Sequence, residues 1–432
     1  MISIVVLLSI IILGAGYFIY GRFIAEKLGP DNNRKTPACE INDGQDYVPA
    51  KAELLLGQHF SAIAAAGPIV GPILAGLWFG WVPALLWIIF GSIFIGGVHD
   101  MASLFASVRH KAQSVAVLAR QYMSKTAQSM FLVFIWLALV YVIIAFTDIT
   151  AQTFKTVTSG EAFGPAVAVS SFFYIIIGLV MGTLLYKFKM KLSVLTAVFL
   201  PLVFIVIWLG TKLPAPAAEF ISAVPVKTWC MVLLGYCFIA SLIPMWLLLQ
   251  PRGYLGGWFL YITIFIALMG AVFGGAKIAY PAFNLEGFKS LEGGRLLFPI
   301  LFITVACGAC SGFHGIVSSG TTSKQILRES DVKPIGYGAM MLEALVAILA
   351  LATVMVLAKG SPILKGDPNF IYADGLAKYM SLAGIGYGFA LSFMLLAFST
   401  FVYDTLDVTT RLARYILQEL FDWHSKKSAY IA

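Results

Sequence analysis

The chain alternates long apolar runs with short polar stretches, and the runs are about 20 residues long, the length a hydrocarbon core requires of a helix. They occupy residues 2–20, 57–77, 81–99, 128–150, 164–185, 192–211, 228–250, 256–275, 296–318, 338–358 and 383–403. The pattern predicts an all-α polytopic membrane protein with about 11 transmembrane helices and no separate soluble domain, so that residues 1–432 form one unit. No Lys or Arg precedes the first run and the first positive charge is Arg22, so residues 2–20 read as a true span rather than a cleavable signal.

One run is broken by its own residues. Gly57 to Gly76 reads GQHFSAIAAAGPIVGPILAG, with Gly67-Pro68 and Gly71-Pro72 where a continuous helix would want neither. A lipid-facing span cannot leave backbone groups unpaired, so a break there must be covered by protein or line a polar cavity. Proline early in a new half-helix loses no bond, and the N–H groups of Ile69, Val70 and Gly71 are expected to face the gap with a positive dipole end, suited to a small anion. The alternative is a plain proline kink; two Gly-Pro pairs beside Gln58, His59 and Ser61 favour the break.

The run 228–250 carries Ser241-Leu242-Ile243-Pro244 near its centre and is expected to be the second broken helix. Spans two to six and seven to eleven then form two groups, 52–211 and 228–405, each opening with an interrupted helix. Five is an odd number, so the second group is inverted relative to the first, with 2–20 as an extra N-terminal span. In transporters built this way the substrate lies between the two breaks. The expected substrate-binding residues are therefore Gly67, Pro68, Ile69, Val70, Gly71, Ser241 and Pro244. Val408, Leu412, Tyr415, Ile416, Leu420 and Trp423 recur at helical spacing, so 408–424 is expected to lie as an amphipathic helix along the inner surface.

Composition narrows the class. With 60% hydrophobic and 12% charged residues, a water-soluble domain is excluded. The net charge of +8 does not point to nucleic acid, because its placement follows topology: 20 of the 29 Lys and Arg fall on one side of the alternating spans and 9 on the other. The richer side is cytoplasmic, which puts the N-terminus outside and the C-terminus inside a cytoplasmic membrane. Of five Cys, four (Cys230, Cys237, Cys307 and Cys310) lie within runs, giving no disulfide framework, and no cofactor is indicated.

Candidate chemistry is sparse. His59 and His314 are ionisable groups inside spans, costly unless they face a partner or a watery cavity, and imidazole changes charge near neutral pH. With Gln58 and the hydroxyls of Ser311, Ser318 and Ser319, they are the expected ion- or proton-coupling residues. The imidazoles favour a proton, the hydroxyls sodium, and the proton reading is preferred. Asp100, Asp148, Glu343, Asp404 and Asp407 stand near run ends and are expected to be solvated or salt-bridged there, Asp407 with Arg411 at i,i+4. Cys307, Cys310 and His314 share a helical face at i, i+3 and i+7, which suits either a soft metal ion or a buried packing face; packing is preferred and no metal is assigned. An intramembrane hydrolase would need a nucleophile beside its base, and neither G-x-S-x-G nor H-E-x-x-H is present. A non-transporting nutrient sensor is the third class.

Five stretches resemble a known family: GQHFSAIAAAGPIVGP (57–72), PMWLLLQPRGYL (244–255), FITVACGACSGFHGIVSSGTT (302–322), GYGAMMLEALVA (336–347) and TLDVTTRLAR (405–414). The chain is similar to carbon starvation protein A, a family of bacterial inner-membrane transporters. The resemblance implies a secondary active carrier of peptides or of pyruvate-like carboxylates, proton-coupled, with a LeuT-like five-plus-five core. Gln58, His59, Gly67, Pro68, Gly71, Pro72, Ser311, Gly312, His314 and Asp407 fall on its motif positions. Two departures stand out: longer members carry further C-terminal spans, and the position of Cys310 is more typically aliphatic, which weakens any metal reading.

Overall fold

The computed structural model describes residues 2–120, 123–158, 161–284, 296–382, 384–423 and 428–432. The apolar runs are helices: α1 (Ile2–Leu28), α2 (Ala52–Ile63), α3 (Gly67–Phe79), α4 (Trp81–Arg109), α5 (Lys125–Thr153), α6 (Gly164–Tyr186), α7 (Leu192–Gly210), α8 (Ala215–Ala223), α9 (Val226–Leu242), α10 (Leu249–Phe273), α11 (Leu297–Thr304), α12 (Gly312–Gly320), α13 (Glu329–Met355), α14 (Pro368–Leu382) and α15 (Tyr387–Leu420). Among the described residues eight helices are long and apolar enough to cross a membrane, or ten if the bent pairs α2/α3 and α8/α9 each count as one span. The expectation of about 11 exceeds this because the run 296–318 is split into α11 and α12, each too short to cross alone. Residues 285–295, between the runs 256–275 and 296–318, lie outside the described residues.

Burial sorts these helices into a core and a rim. The most apolar windows of α13 and α15 are 83% and 94% buried, whereas those of α5 and α7 are 22% buried and face outward. Residues such as Phe134, Tyr141, Ile205 and Trp208 are accordingly exposed, as a hydrocarbon solvent permits. Core helices meet through small residues, since without a water-driven collapse close backbone approach supplies the attraction. Gly57 of α2 and Gly257 of α10 cross so tightly that a Cβ at Gly257 would lie 2.6 Å from the Gly57 Cα.

Two π-turns, Ser92–Gly96 in α4 and Lys333–Gly338 at the start of α13, lie against one another. A π-turn leaves a carbonyl without its usual partner. Here the Ile93 carbonyl accepts the Tyr337 hydroxyl at 2.9 Å, and a Cβ at Gly336 would meet the Met101 backbone at 2.8 Å. This contact presses the Asp100 stretch of α4 against α13.

The end of the bundle carrying Arg109, Lys324 and Arg411 is closed by the ordered connector between α1 and α2. Its residues 36–50 run beside 324–326, with Val48 and Ala50 N–H bonded to the Lys324 and Gln325 carbonyls at 3.2 and 3.0 Å. Residues Gly44 to Asp46 strap the α9–α10 connector: Met245 N–H bonds to Gln45 O at 3.0 Å, Gln45 Nε2 to Leu242 O at 2.8 Å, and Trp246 Nε1 to Gly44 O at 3.1 Å. Asp46 also receives Arg411 Nη1 at 2.8 Å. Burial pulls the Asp46 carboxyl up, but Arg411, Lys324 and Arg414 outweigh it and hold it below the usual carboxylate value. The strap's ion pair is therefore intact at every pH above the ordinary carboxylate range and is lost only as pH falls through the lowered folded value.

Arg411 pairs with Asp46 rather than with Asp407, and α15 continues without a break to Leu420, burying Val408, Leu412, Tyr415 and Ile416. The expected surface helix over 408–424 is thus corrected to the C-terminal end of a core helix. Its apolar spacing is real, but the face it builds meets protein.

Lys324 sits over the Tyr415 ring at 3.5 Å, and burial pushes it down to about 8 against the pull of Asp46 and Glu419. From about pH 8 up to its ordinary 10.5 the unfolded chain holds more of this proton, so stability contributed here rises with pH over that window. Thermal unfolding in detergent is expected to show a rise in Tm from about pH 8 to about pH 10 that Lys324→Met flattens. Identical pH profiles for the two proteins would refute the assignment.

Candidate functional site

Two interruptions cross inside the bundle. The first separates α2 from α3 at Ala64–Ala66, with a bend of 44°. Ala64 N–H still reaches Phe60 O, Ala65 N–H folds back to Ile63 O at 2.9 Å, and Ala66 opens the next helix by accepting Ile69 and Val70 N–H at 3.2 and 2.8 Å. The expected donors are therefore corrected: Ile69 and Val70 are spent on Ala66, and the amides left without an acceptor among the described residues are those of Ala66 and Gly67, one step earlier. Pro68, at the second position of α3, has no N–H to satisfy.

The second interruption is not the one expected. The helix α9 ends at Leu242, Ile243 is extended, and Pro244 lies in the connector to α10 under the strap, so Ser241 and Pro244 mark a helix terminus rather than a break within a span. Ser241 Oγ donates to Phe238 O at 2.8 Å. The break that faces Gly67 lies at 305–311, between α11 and α12. A Cβ at Gly67 would stand 2.5 Å from Cys307, one at Gly71 would stand 2.2 Å from the Thr304 carbonyl oxygen, and one at Gly308 would stand 3.7 Å from the Pro68 Cα. The Gly-Pro pairs of the first break thus supply the flat surface on which the small residues of the second lie.

Beside this crossing is a polar cluster in which His314, Asp100 and Glu343 are fully buried. His314, in the first turn of α12, has Nδ1 2.9 Å from Asp100 Oδ2 and Nε2 3.0 Å from Glu343 Oε2. Asp100 also faces His99 Nδ1 at 2.9 Å. Cys307 Sγ lies 3.8 Å from His314 Nε2 and 3.8 Å from Ser311 Oγ. Asp100 and Glu343, expected as solvated span-end residues, are instead enclosed; the π-turns carry their positions inward. Cys307 and His314 come together, but not on the shared helical face their spacing suggests, since Cys307 and Cys310 lie in the break between α11 and α12; Cys310 stands outside the group formed by Cys307, His314 and Glu343.

His59 occupies a separate environment. Its Nδ1 is 2.8 Å from Thr322 Oγ1, and its Nε2 is buried with no partner among the described residues. Gln58 Oε1 accepts from Gln325 Nε2 at 3.2 Å, and Gln325 Oε1 accepts from Gln250 Nε2 at 2.8 Å, a row of amides leading toward the basic end. Of the expected hydroxyls, Ser319 donates to Gly315 O at 2.7 Å and accepts from Val115 N–H at 3.2 Å, whereas Ser318 Oγ is buried without a partner. His59 and His314 share no bond.

A second ionic group was hidden in the sequence. Arg252 of α10 is buried between Asp404, at 3.5 Å from its Nε, and Asp407, which its Nη1 contacts directly. The rings of Tyr174, Tyr236 and Tyr403 surround the guanidinium at 5.7, 5.6 and 5.1 Å. Ser61 of α2 donates to Asp404, and Thr405 Oγ1 donates to Ala62 O at 2.7 Å, so the group is tied to the segment just before the first break. Arg252 follows Pro251 and therefore looks like a span terminus, and Asp407 has a decoy partner four residues on. The i,i+3 spacing of Asp404 and Asp407 was the signal available.

The fold and the enclosed ionisable groups define a multi-pass membrane protein with a polar core at crossed helix interruptions. The chain belongs to the carbon starvation protein family: the model described as "Carbon starvation protein CstA" matches residues 1–364. It is 32% identical to "Peptide transporter CstA" of Bacillus subtilis (strain 168), over 96% of this chain and 74% of that protein. It is 35% identical to "Peptide transporter CstA" of Escherichia coli (strain K12), over 85% of this chain and 52% of that protein. It is 34% identical to "Pyruvate/proton symporter BtsT" of the same organism, over 82% of this chain and 49% of that protein. The chain thus spans about three quarters of the first relative and about half of the other two. Each is named as a transporter or symporter, not as an enzyme. No solved structure matches the chain.

Proposed function

We propose that the chain is a secondary active transporter that imports peptides or small carboxylates such as pyruvate across the cytoplasmic membrane by alternating access, coupled to protons. The observation that carries this reading is the crossing of two interrupted helices over buried ionisable groups. An open backbone at membrane depth has a use only where it serves a ligand or lines a path. The names of the relatives favour the same class over a hydrolase or a non-transporting sensor. The inverted five-plus-five, LeuT-like arrangement of 52–211 and 228–405, with the N-terminus outside and the C-terminus inside, is part of this reading and rests on the alternation of apolar runs and the asymmetry of basic residues in the sequence.

In this proposal the substrate carboxylate meets the free amides of Ala66 and Gly67 at the positive end of α3, beside Pro68 and Gly71. The segment 305–311 takes the place first given to Ser241 and Pro244. Of the two histidines, His59 carries the proton, because it has a buried nitrogen with no partner whereas His314 is held by carboxylates on both sides. Purified protein in liposomes is expected to accumulate peptide or pyruvate when an inward proton gradient is imposed. His59→Ala is expected to lose that accumulation while retaining exchange of labelled for unlabelled substrate. Wild-type uptake that needs sodium and ignores pH, or a His59→Ala variant that still concentrates substrate, would overturn the coupling scheme; no flux under any gradient would point to a sensor.

A further inference from the structure

The cluster beside the crossing has more structure than a proton site requires. Cys307 Sγ, His314 Nε2 and a Glu343 carboxylate oxygen lie within 4.8 Å of one another. We propose that these three atoms form a binding site for a borderline-soft divalent metal ion of the Zn²⁺ type, with Asp100 as the group that orients the imidazole.

Three observations converge. The first is the donor set: thiolate, imidazole and carboxylate together select ions such as Zn²⁺ over Mg²⁺, Ca²⁺ or Na⁺, which prefer oxygen alone. The second is spacing. With metal–sulfur near 2.3 Å and metal–nitrogen or metal–oxygen near 2.05 Å, a tetrahedral site has an S···N edge of about 3.5 Å and an N···O edge of about 3.3 Å. The corresponding separations are 3.8 Å and 3.0 Å, so two of the three edges are near those of the bound state, and the third is within 4.8 Å.

The third is the orientation of the imidazole and the state of the carboxylate. A proton on Nδ1 donated to Asp100 Oδ2 at 2.9 Å leaves the Nε2 lone pair directed at the other two ligands, the carboxylate–histidine–metal relay that raises ligand basicity. The Glu343 carboxylate is fully buried, with His314 Nε2 3.0 Å from its Oε2 and Cys307 beside it. A carboxylate enclosed at this depth calls for a cation, and a metal ion held by all three groups would supply it.

Three protein ligands leave a fourth position for water or another small ligand, as in exchangeable rather than closed structural sites. The ion would join α13 to the break between α11 and α12, beside Gly67. The site stands apart from the transport reading, and its test does not use flux.

Full-length protein in detergent, stripped with EDTA and titrated with Co²⁺, is expected to develop a near-ultraviolet sulfur-to-cobalt band and visible bands of a tetrahedral ion, saturating at about one per chain and abolished by Zn²⁺. Cys307→Ser should lose the near-ultraviolet band, and Cys310→Ser should keep it. Asp100→Asn should keep the bands but bind about 10–100-fold more weakly, a result that loss of packing alone would not give. If Cys307→Ser does not fold, wild-type protein decides: Zn²⁺ should protect Cys307, and not Cys310, from alkylation read by peptide mass spectrometry. Absence of saturable bands in the wild type, a band that follows Cys310 instead, or alkylation of Cys307 unaffected by Zn²⁺ would each overturn the site.

Discussion

Gly71→Val is expected to abolish substrate accumulation and to yield little monodisperse protein, and Gly71→Ala to do most of the same. A Cβ at this position would stand 2.2 Å from the carbonyl oxygen of Thr304, a backbone atom with no rotamer by which to retreat. Relief requires α3 and α11 to separate, and separation pulls the two interruptions apart. Overpacking of this kind costs about 1–3 kcal/mol even where side chains can yield, and more where they cannot. Gly14 of α1, with nothing within 4 Å of its added Cβ, is the control, and Gly14→Ala should express and transport like the parent. The measurements are size-exclusion yield, Tm and liposome uptake. A Gly71→Ala protein with parental Tm and uptake would mean that the interruptions do not meet as described.

Arg252→Gln should be the most destabilising single change in charge. It strands two buried carboxylates, Asp404 and Asp407, beside three tyrosine rings, and breaking a buried ion pair from one side costs about 3–5 kcal/mol. Adding Asp407→Asn should recover a substantial part of the loss, since the double variant removes the charge left exposed to a low dielectric. Arg252→Lys should recover little, because a single ammonium cannot reproduce the fork between two carboxylates. Denaturation in detergent of the parent, Arg252→Gln, Asp407→Asn and the double variant gives the cycle. If Arg252→Gln matches the parent, or if Asp407→Asn deepens the loss, the ionic group is not a unit of stability.

How far the sequence alone reaches differs from element to element. Helix positions followed from run length, because a bilayer imposes one number on every span. The break after Ile63 was legible because Gly67-Pro68 writes it in residues that disrupt helices. Its partner at 305–311 was not, since it contains no proline; Ala306, Gly308 and Ala309 are equally at home in a continuous helix packed closely on a neighbour. The paired interruption was instead sought at Pro244, where proline merely follows a helix that has already ended.

Charges misled for a related reason. Asp100, Glu343 and Arg252 sit near the limits of hydropathy runs, and hydropathy alone cannot distinguish the end of a span from a polar stretch enclosed by other helices. Two π-turns and a glycine-lined crossing decide that question, and neither has a distinctive composition. Asp407 was assigned to Arg411 because four-residue spacing is a sound local rule. Here the strap supplied Asp46, 365 residues away, as the better partner.

That separation also sets a schedule for synthesis. Ribosomes add about 5–20 residues per second, so about 20–70 seconds pass between the emergence of Asp46 and that of Arg411. Ser61 waits almost as long for Asp404, which lies 343 residues on, and Asp100 waits through 214 residues for His314. Through that interval the first third of the chain has polar groups in or beside the bilayer whose partners do not yet exist. A nascent chain arrested before α15 would therefore carry Asp46 and Ser61 without the ion pair and hydrogen bond that α15 supplies, a natural substrate for membrane quality-control proteases, and synthesis of that helix releases the protein from that hazard.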